Sequence, residues 1–383
     1  MPVPNPLRRL ATVALCAALT ACTGTEESGR AFNVVVQDGE TTLRLVGVQD
    51  TGAPSASAPV TTASRVTDLA TVEAGFLLGV AFTDRLELRG ANATTPVRTI
   101  GAVVPAGTPG ASPAPDYNRN GLPDYVPCYR QVEPNQSGTR LALFSDIGAN
   151  NDLGCPAGAR EQWVALYASS GTLLFNALLP APLTTDPRDV HLAVLGEDLF
   201  VARRSGALEV SEIDRIRADG NPNDGVVRAQ VDVLNTSTPL IRDLAVLGST
   251  LYAATEAGVR TVAASGVLGD PVAGFTERAD RLWTAQGILA AWNGNPTGST
   301  GTLTLRYRSG DDFTSTLVLT STSLQNLRDV VIGPDGYLYV ILPGSVQRYD
   351  LSGFSRGNIR TPSPEAVSSG LQGDARAAAY VVP

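Results

Sequence analysis

The sequence predicts an all-β chain of repeated strand hairpins, on three observations. One pattern recurs along it: an Asp, a short apolar strand, a Gly-containing turn and a second apolar strand. Gly 38, Pro 26 and only 17% charged residues suit many short strands joined by turns. No long segment carries the 3.6-residue apolar period of an amphipathic helix. Asp189, Asp243, Asp280 and Asp329 of the recurring pattern lie 54, 37 and 49 residues apart. That range brackets the roughly 40–50 residues of a four-stranded blade, whereas an array of β-sandwiches repeats at about 100. The expected architecture is a β-propeller.

The first residues read as a targeting segment and stand outside the fold. Arg8 and Arg9 precede an apolar run over 10–19, half the roughly 20 residues a membrane-spanning helix needs. The run ends in Leu19-Thr20-Ala21-Cys22, followed by a polar stretch. These residues resemble a bacterial lipobox. The resemblance implies a signal peptide over 1–21, cleavage before Cys22, lipidation of Cys22, and a flexible tether over 22–30. The absence of Asp after Cys22 resembles lipoproteins of the outer membrane, where the cell has two.

Composition narrows the partners. Every basic residue is Arg, and removal of 1–21 moves the net charge from −8 to −10. So acidic a chain, with no basic run, is not expected to bind nucleic acid. Processing of Cys16 and Cys22 leaves Cys128 and Cys155, which an exported protein most simply pairs; two buried thiols are the alternative. In the chain-entropy model that bridge stabilises the fold by about 3.5 kcal/mol.

The mature residues, 31–383, are expected to form one propeller. The copies begin with Asp68-Leu69-Ala70-Thr71-Val72 and the strand after Gly75. Next comes a copy without the Asp, at Arg140-Leu141-Ala142-Leu143-Phe144, with its second strand displaced to Gln162-Trp163-Val164. Arg188-Asp189-Val190-His191 and Arg242-Asp243-Leu244-Ala245 open two more, and Asp280-Arg281-Leu282-Trp283 a degenerate one. The sharpest runs from Arg328-Asp329-Val330-Val331 through the hairpin signal Pro334-Asp335-Gly336 to Tyr337-Leu338-Tyr339-Val340. With Ser345-Val346-Gln347-Arg348-Tyr349-Asp350 as its next strand, this copy resembles NHL-type and YVTN-type propeller repeats. Asp374-Ala375-Arg376 starts a strand whose partners are expected at 31–36 and 42–48. A blade shared by both termini closes the ring and removes two sheet edges, giving seven blades. If the terminal strands only extend existing blades, the count is six.

A Pro/Ala-rich insertion is expected over 104–160. Within it, Asp116-Tyr117-Asn118-Arg119-Asn120-Gly121-Leu122-Pro123-Asp124 places oxygen-bearing side chains at positions 1, 3, 5 and 9, with Gly at 6. Calcium takes six to eight hard oxygen ligands, and the Gly allows the wrapping turn. The segment resembles the calcium loops of EF-hand, dockerin and thrombospondin type 3 repeats. That resemblance implies side-chain oxygens from Asp116, Asn118, Asn120 and Asp124 and the carbonyl of Leu122. Position 12 is Pro127, so the usual bidentate Glu is missing, and Asp146, Asn150, Asn151 or Asp152 are candidates to complete the shell.

Catalytic signatures are sparse. His191 is the sole histidine and lies in an alternating strand, which suits a structural role. In a propeller, Asp68, Asp189, Asp243, Asp329 and Asp374 would ring one mouth of the channel. Such a ring either binds a divalent cation, as metal-dependent lactonase-type propellers do, or caps local backbone N–H groups. The expected function is a non-enzymatic, lipid-anchored scaffold that binds another envelope protein. A metal-dependent hydrolase or sugar-binding propeller is the alternative.

Overall fold

The computed structural model describes residues 31–48, 55–56, 58–101, 127–146, 153–155, 162–180, 189–205, 210–218, 229–357, 362–368 and 370–383. These residues form seven antiparallel sheets arranged as the blades of a propeller. Blade 1 comprises Val66–Val72, Leu77–Phe82, Arg85–Arg89 and Pro96–Gly101. Blade 2 comprises Tyr129–Pro134, Arg140–Asp146, Gln162–Ala168 and Leu173–Leu178. Blades 3, 4, 5 and 6 begin with Val190–Leu195, Ile241–Leu247, Arg281–Ala285 and Asp329–Ile332. Each then meanders outward through three more strands. The first strand of each blade lies against the first strand of the next, so these strands line the axis.

Blade 7 is built from both termini. Ala375–Val381 is its inner strand and pairs with Phe32–Asp38, which pairs in turn with Thr42–Val48. Two fragments, Ser55–Ala56 and Val60–Thr61, complete its outer side. Seven blades and closure by the terminal strands therefore hold.

The strands are apolar on both faces because each blade is covered by two neighbours. Among the described residues the buried side chains form one cluster at each of the seven blade junctions, and a small eighth around Cys128 and Cys155. In blade 4, for example, Ile241 and Leu244 pack towards blade 3, whereas Ala245 and Leu247 pack towards blade 5. Turn chemistry sets the register. Leu247 pairs with Thr250 across Gly248-Ser249, and Gly248, at φ +62°, takes the first central position as a type II′ turn requires.

Two expectations change at this level. Arg140–Asp146 is the second strand of blade 2, not the first, and Gln162–Ala168 is the third. The inner strand is Tyr129–Pro134, whose Gln131 and Glu133 break the apolar pattern because this strand faces the axis. The segment 104–160 thus contains two strands of the ring.

Candidate functional site at the channel mouth

Equivalent positions on the seven inner strands follow from counting back from each hairpin. Asp68, Asp243 and Asp329 occupy the same place, just after a bulge in blades 1 and 4 and at the start of the strand in blade 6. The same place holds Gln131 in blade 2, His191 in blade 3, Arg281 in blade 5 and Ala377 in blade 7. All inner strands run in the same direction, so these seven residues form one level at the mouth where the strands begin.

Two carboxylates expected in the ring stand elsewhere. Leu195 pairs with Asp198 as Leu247 pairs with Thr250, which puts His191, not Asp189, in the place of Asp243. Asp189 lies two residues outside that level and pairs with Arg204 at 3.6 Å. Asp374 lies three residues outside it, half-exposed, and pairs with Arg376 at 2.7 Å. The Arg376 guanidinium holds the Asp374 carboxyl below its ordinary range. Matching the Arg-Asp dipeptide misplaces Asp189, because blade 3 carries two extra residues between dipeptide and turn.

The three ring aspartates share one bonding scheme. Asp68 Oδ1 accepts from its own neighbour Leu69 N at 2.9 Å, and Oδ2 accepts from Val132 N of blade 2 at 3.0 Å. Asp243 accepts from Leu244 N at 2.9 Å and from Leu282 N of blade 5 at 2.8 Å. Asp329 accepts from Val330 N at 2.9 Å and from Ala378 N of blade 7 at 2.6 Å. An inner strand is a sheet edge with N–H groups that have no partner within the blade. Each aspartate supplies one to the strand ahead and latches two blades together.

The other junctions differ. His191 Nδ1 lies 3.6 Å from Asp243 Oδ1. Burial, with Arg281 and Arg242 nearby, pushes His191 down to about 4, so near pH 7 this is a neutral polar contact and not an ion pair. Arg281 donates to the Arg328 carbonyl, lies 3.6 Å from Asp329 and stacks over Trp283. Trp283 Nε1 donates to Asp329 Oδ1 at 2.7 Å.

Two residues further along the strand from the ring, Glu133 stands at the level held by Ala70, Ala193, Ala245, Trp283, Val331 and Ala379 on the other strands. Burial raises its pKa well above the ordinary value, and Asp243, Asp68 and Asp329 raise it further. Burial likewise lifts Asp68 to about 7 and Asp243 to about 6, against the lowering effect of their backbone donors and Arg281. At the opposite end of the channel the hairpins converge: Gly248 N of blade 4 donates to Gln136 Oε1 of blade 2 at 3.2 Å, past blade 3.

The remaining site expectations fall elsewhere. Cys128 and Cys155 form a disulfide, buried, with Cα atoms 5.9 Å apart. Cys128 N donates to Ser145 Oγ at 2.8 Å, which ties the bridge to the second strand of blade 2. Asp146 accepts from Gln162 Nε2 at 2.9 Å. The calcium-loop residues Asp116, Asn118, Asn120, Leu122 and Asp124 lie outside the described residues, as do Cys22, Asn150, Asn151 and Asp152. Among the described residues no group of three or more His, Cys, Asp or Glu side chains is placed to hold a metal ion.

No family model matches the chain, and no curated protein matches it in sequence. Among solved structures, a functionally unknown protein from Desulfotomaculum acetoxidans DSM 771 aligns with a TM-score of 0.53 at 11% identity, over 92% of this chain and 99% of its own. The computationally designed Ika8 protein aligns with a TM-score of 0.50 at 10% identity, over 91% of this chain and 90% of its own. At such identities the likeness shows the fold alone.

Proposed function

We propose that this chain is an exported, lipid-anchored envelope protein whose propeller serves as a rigid scaffold for another protein, without catalysing a reaction. The observation that supports it most is the use of the ring carboxylates. Asp68, Asp243 and Asp329 each accept from backbone N–H groups of two adjacent blades, which is the work of structural latches. A carboxylate that accepts from backbone donors on two strands is held in place as part of the junction between them. The lipobox-like Leu19-Thr20-Ala21-Cys22 supports the anchor, and the buried disulfide supports an oxidising compartment.

Calcium belongs to this proposal as a structural clamp. Asp116, Asn118, Asn120, Asp124 and the Leu122 carbonyl would hold it, all hard oxygen donors of the kind the ion takes. In sequence the loop comes just before Cys128, so the disulfide would fix the end of the segment that wraps the ion.

The test is extraction of the native protein from membranes in mild detergent, with identification of what comigrates. A reproducible envelope partner is expected, and a Cys22→Ser chain should leave the membrane fraction. A protein that always migrates alone would remove the scaffold function.

A further inference from the structure

We propose that the hairpin face of the propeller, opposite the ring mouth, lies on the lipid bilayer and is seated there through Phe76. This rests on the lipid anchor at Cys22 proposed above and names the surface that the anchored ring touches. The ring mouth then points away from the membrane and stays free for the partner protein.

The place where the chain enters the fold decides between the two faces. Each inner strand runs from the ring mouth to its hairpin, and Ala375–Val381 ends on that side, where Val382 N donates to the Gly75 carbonyl at 2.6 Å. Phe32–Asp38 runs back beside it with Asn33 opposite Val381, so residue 31 leaves the ring on the hairpin face. The nine residues 22–30 span at most about 30 Å when fully extended. To set the ring mouth on the bilayer they would first pass outward over Thr42–Val48 and the outer fragments of blade 7, about 10 Å. They would then descend the length of a seven-residue strand, about 23 Å, with the loops of that mouth still below. The tether is too short for that route.

Exposed apolar side chains select the same face. Five large ones stand out among the described residues, and three of them lie there: Phe76, Val97 and Val267, at 57%, 68% and 54% exposure. Phe76 follows the first hairpin of blade 1, and Val97 follows the turn before that blade's outer strand. Val267 stands in the corresponding turn of blade 4, across the ring. Phe76 is held outward by its turn. Glu73, Ala74 and Gly75 all take positive φ, +50°, +53° and +97°, a conformation that costs the first two backbone energy. Glu73 N and Ala74 N donate to the Gly138 and Ser137 carbonyls, each at 3.1 Å, and fix that shape. The turn also stands beside the exit of the tether, since a Cβ on Gly75 would lie 2.5 Å from the Tyr380 ring of blade 7. One aromatic side chain binds lipid weakly by itself, but an anchored one meets the bilayer at high effective concentration. Glu197 and Asp311 project from the same face into solvent, so the surface it suits is zwitterionic lipid.

The full chain, purified with its lipid, should be reconstituted into phosphatidylcholine vesicles with a nitroxide on one introduced cysteine. Cys128 and Cys155 are bridged and leave that cysteine as the label's target. Val97→Cys and Val267→Cys report on the hairpin face, and Asp84→Cys, between the second and third strands of blade 1, reports on the ring mouth. Oxygen, which dissolves in the bilayer, should relax the labels at 97 and 267 more than a water-soluble nickel complex does, and the order should reverse at 84. Phe76→Ser should lower the docked-to-free ratio read at 97 by about tenfold or more, the partition of one exposed aromatic ring. The same variant should melt like wild type, because most of the Phe76 side chain is in solvent. Nickel access at 97 and 267 equal to that at 84 overturns the proposal, as does oxygen preference at 84 or no effect of Phe76→Ser. Labels at 97 and 267 hidden from both reagents would assign the face to a second copy of the chain and overturn the lipid contact. Mass spectrometry of the N-terminal peptide separates the two readings. No lipid on Cys22 removes the anchor and this contact with it, whereas lipid on Cys22 with a water-exposed hairpin face removes the contact alone.

Discussion

Asp329 concentrates more of the fold than any other ring residue described. It accepts from Val330 N, Ala378 N and Trp283 Nε1, so it joins blades 5, 6 and 7. Asp329→Ala takes the acceptor from all three donors and should destabilise by about 3 kcal/mol, read from urea melts. Asp374→Ala removes only an exposed ion pair and should cost less than about 1 kcal/mol in the same assay. The ring also sets a pH response. Asp68, lifted to about 7, binds its proton more tightly folded than unfolded. The stability it contributes is complete below its unfolded pKa near 4 and is lost as pH rises through 7. Asp243 acts the same way up to about 6. His191, held down at about 4, acts oppositely between 4 and its ordinary value of 6.5. From pH 6.5 to 8 only the carboxylates remain, so the melting temperature should fall over that interval. Asp68→Asn should flatten it; an unchanged slope would remove Asp68 as its source.

At the level of elements, the hairpins carry the information that a sequence can show. Pro334-Asp335-Gly336 and Gly248-Ser249 are legible because turn geometry limits which residues can stand there. The inner strand of blade 2 is not legible. Tyr129-Arg130-Gln131-Val132-Glu133-Pro134 alternates like a solvent-facing segment, and only the closed ring turns that polar side inward to the axis. Glu133, Gln131 and Arg281 are missed for the same reason, since no short motif marks a place defined by seven strands together. Turn glycines do not fix the place either: Asp243 stands five residues before Gly248, but Arg281 six before Gly287 and Gln131 seven before Gly138. The hairpins also touch each other. A Cβ on Gly138, at φ +67°, would lie 2.5 Å from Glu73 N and 2.9 Å from the Val72 backbone. Gly138→Ala should therefore cost about 2–4 kcal/mol, while Gly310→Ala, with the same sign of φ but open space, should cost about 1. Similar losses for both would show that the hairpin contact between blades 1 and 2 contributes nothing.

For the molecule as a whole, the buried residues are divided among junctions and not gathered in one centre. Each blade is stable only because both neighbours cover it, so stability depends on an unbroken circle. The Cys128–Cys155 bridge strengthens one sector of it. The Cys128→Ala, Cys155→Ala pair should lose about 2–4 kcal/mol in chemical denaturation. Deleting 375–383 strips the inner strand from blade 7 and exposes the apolar faces of blades 1 and 6. That chain should lose its single cooperative transition and become sensitive to proteases throughout.

The strand pairing that closes the ring also imposes a schedule. Gln372 N donates to Asp38, 334 residues away in sequence, and Tyr380 N donates to Thr71 Oγ1, 309 away. Blade 7 cannot form until Ala375–Val381 has been synthesised, and before that every partial circle presents two raw apolar ends. Slow closure is a hazard in a crowded compartment, where open ends invite the wrong neighbour. Under the export proposed above, the same delay becomes an advantage. A circle that waits for its final strand stays loose enough to be threaded, and locks only on the far side.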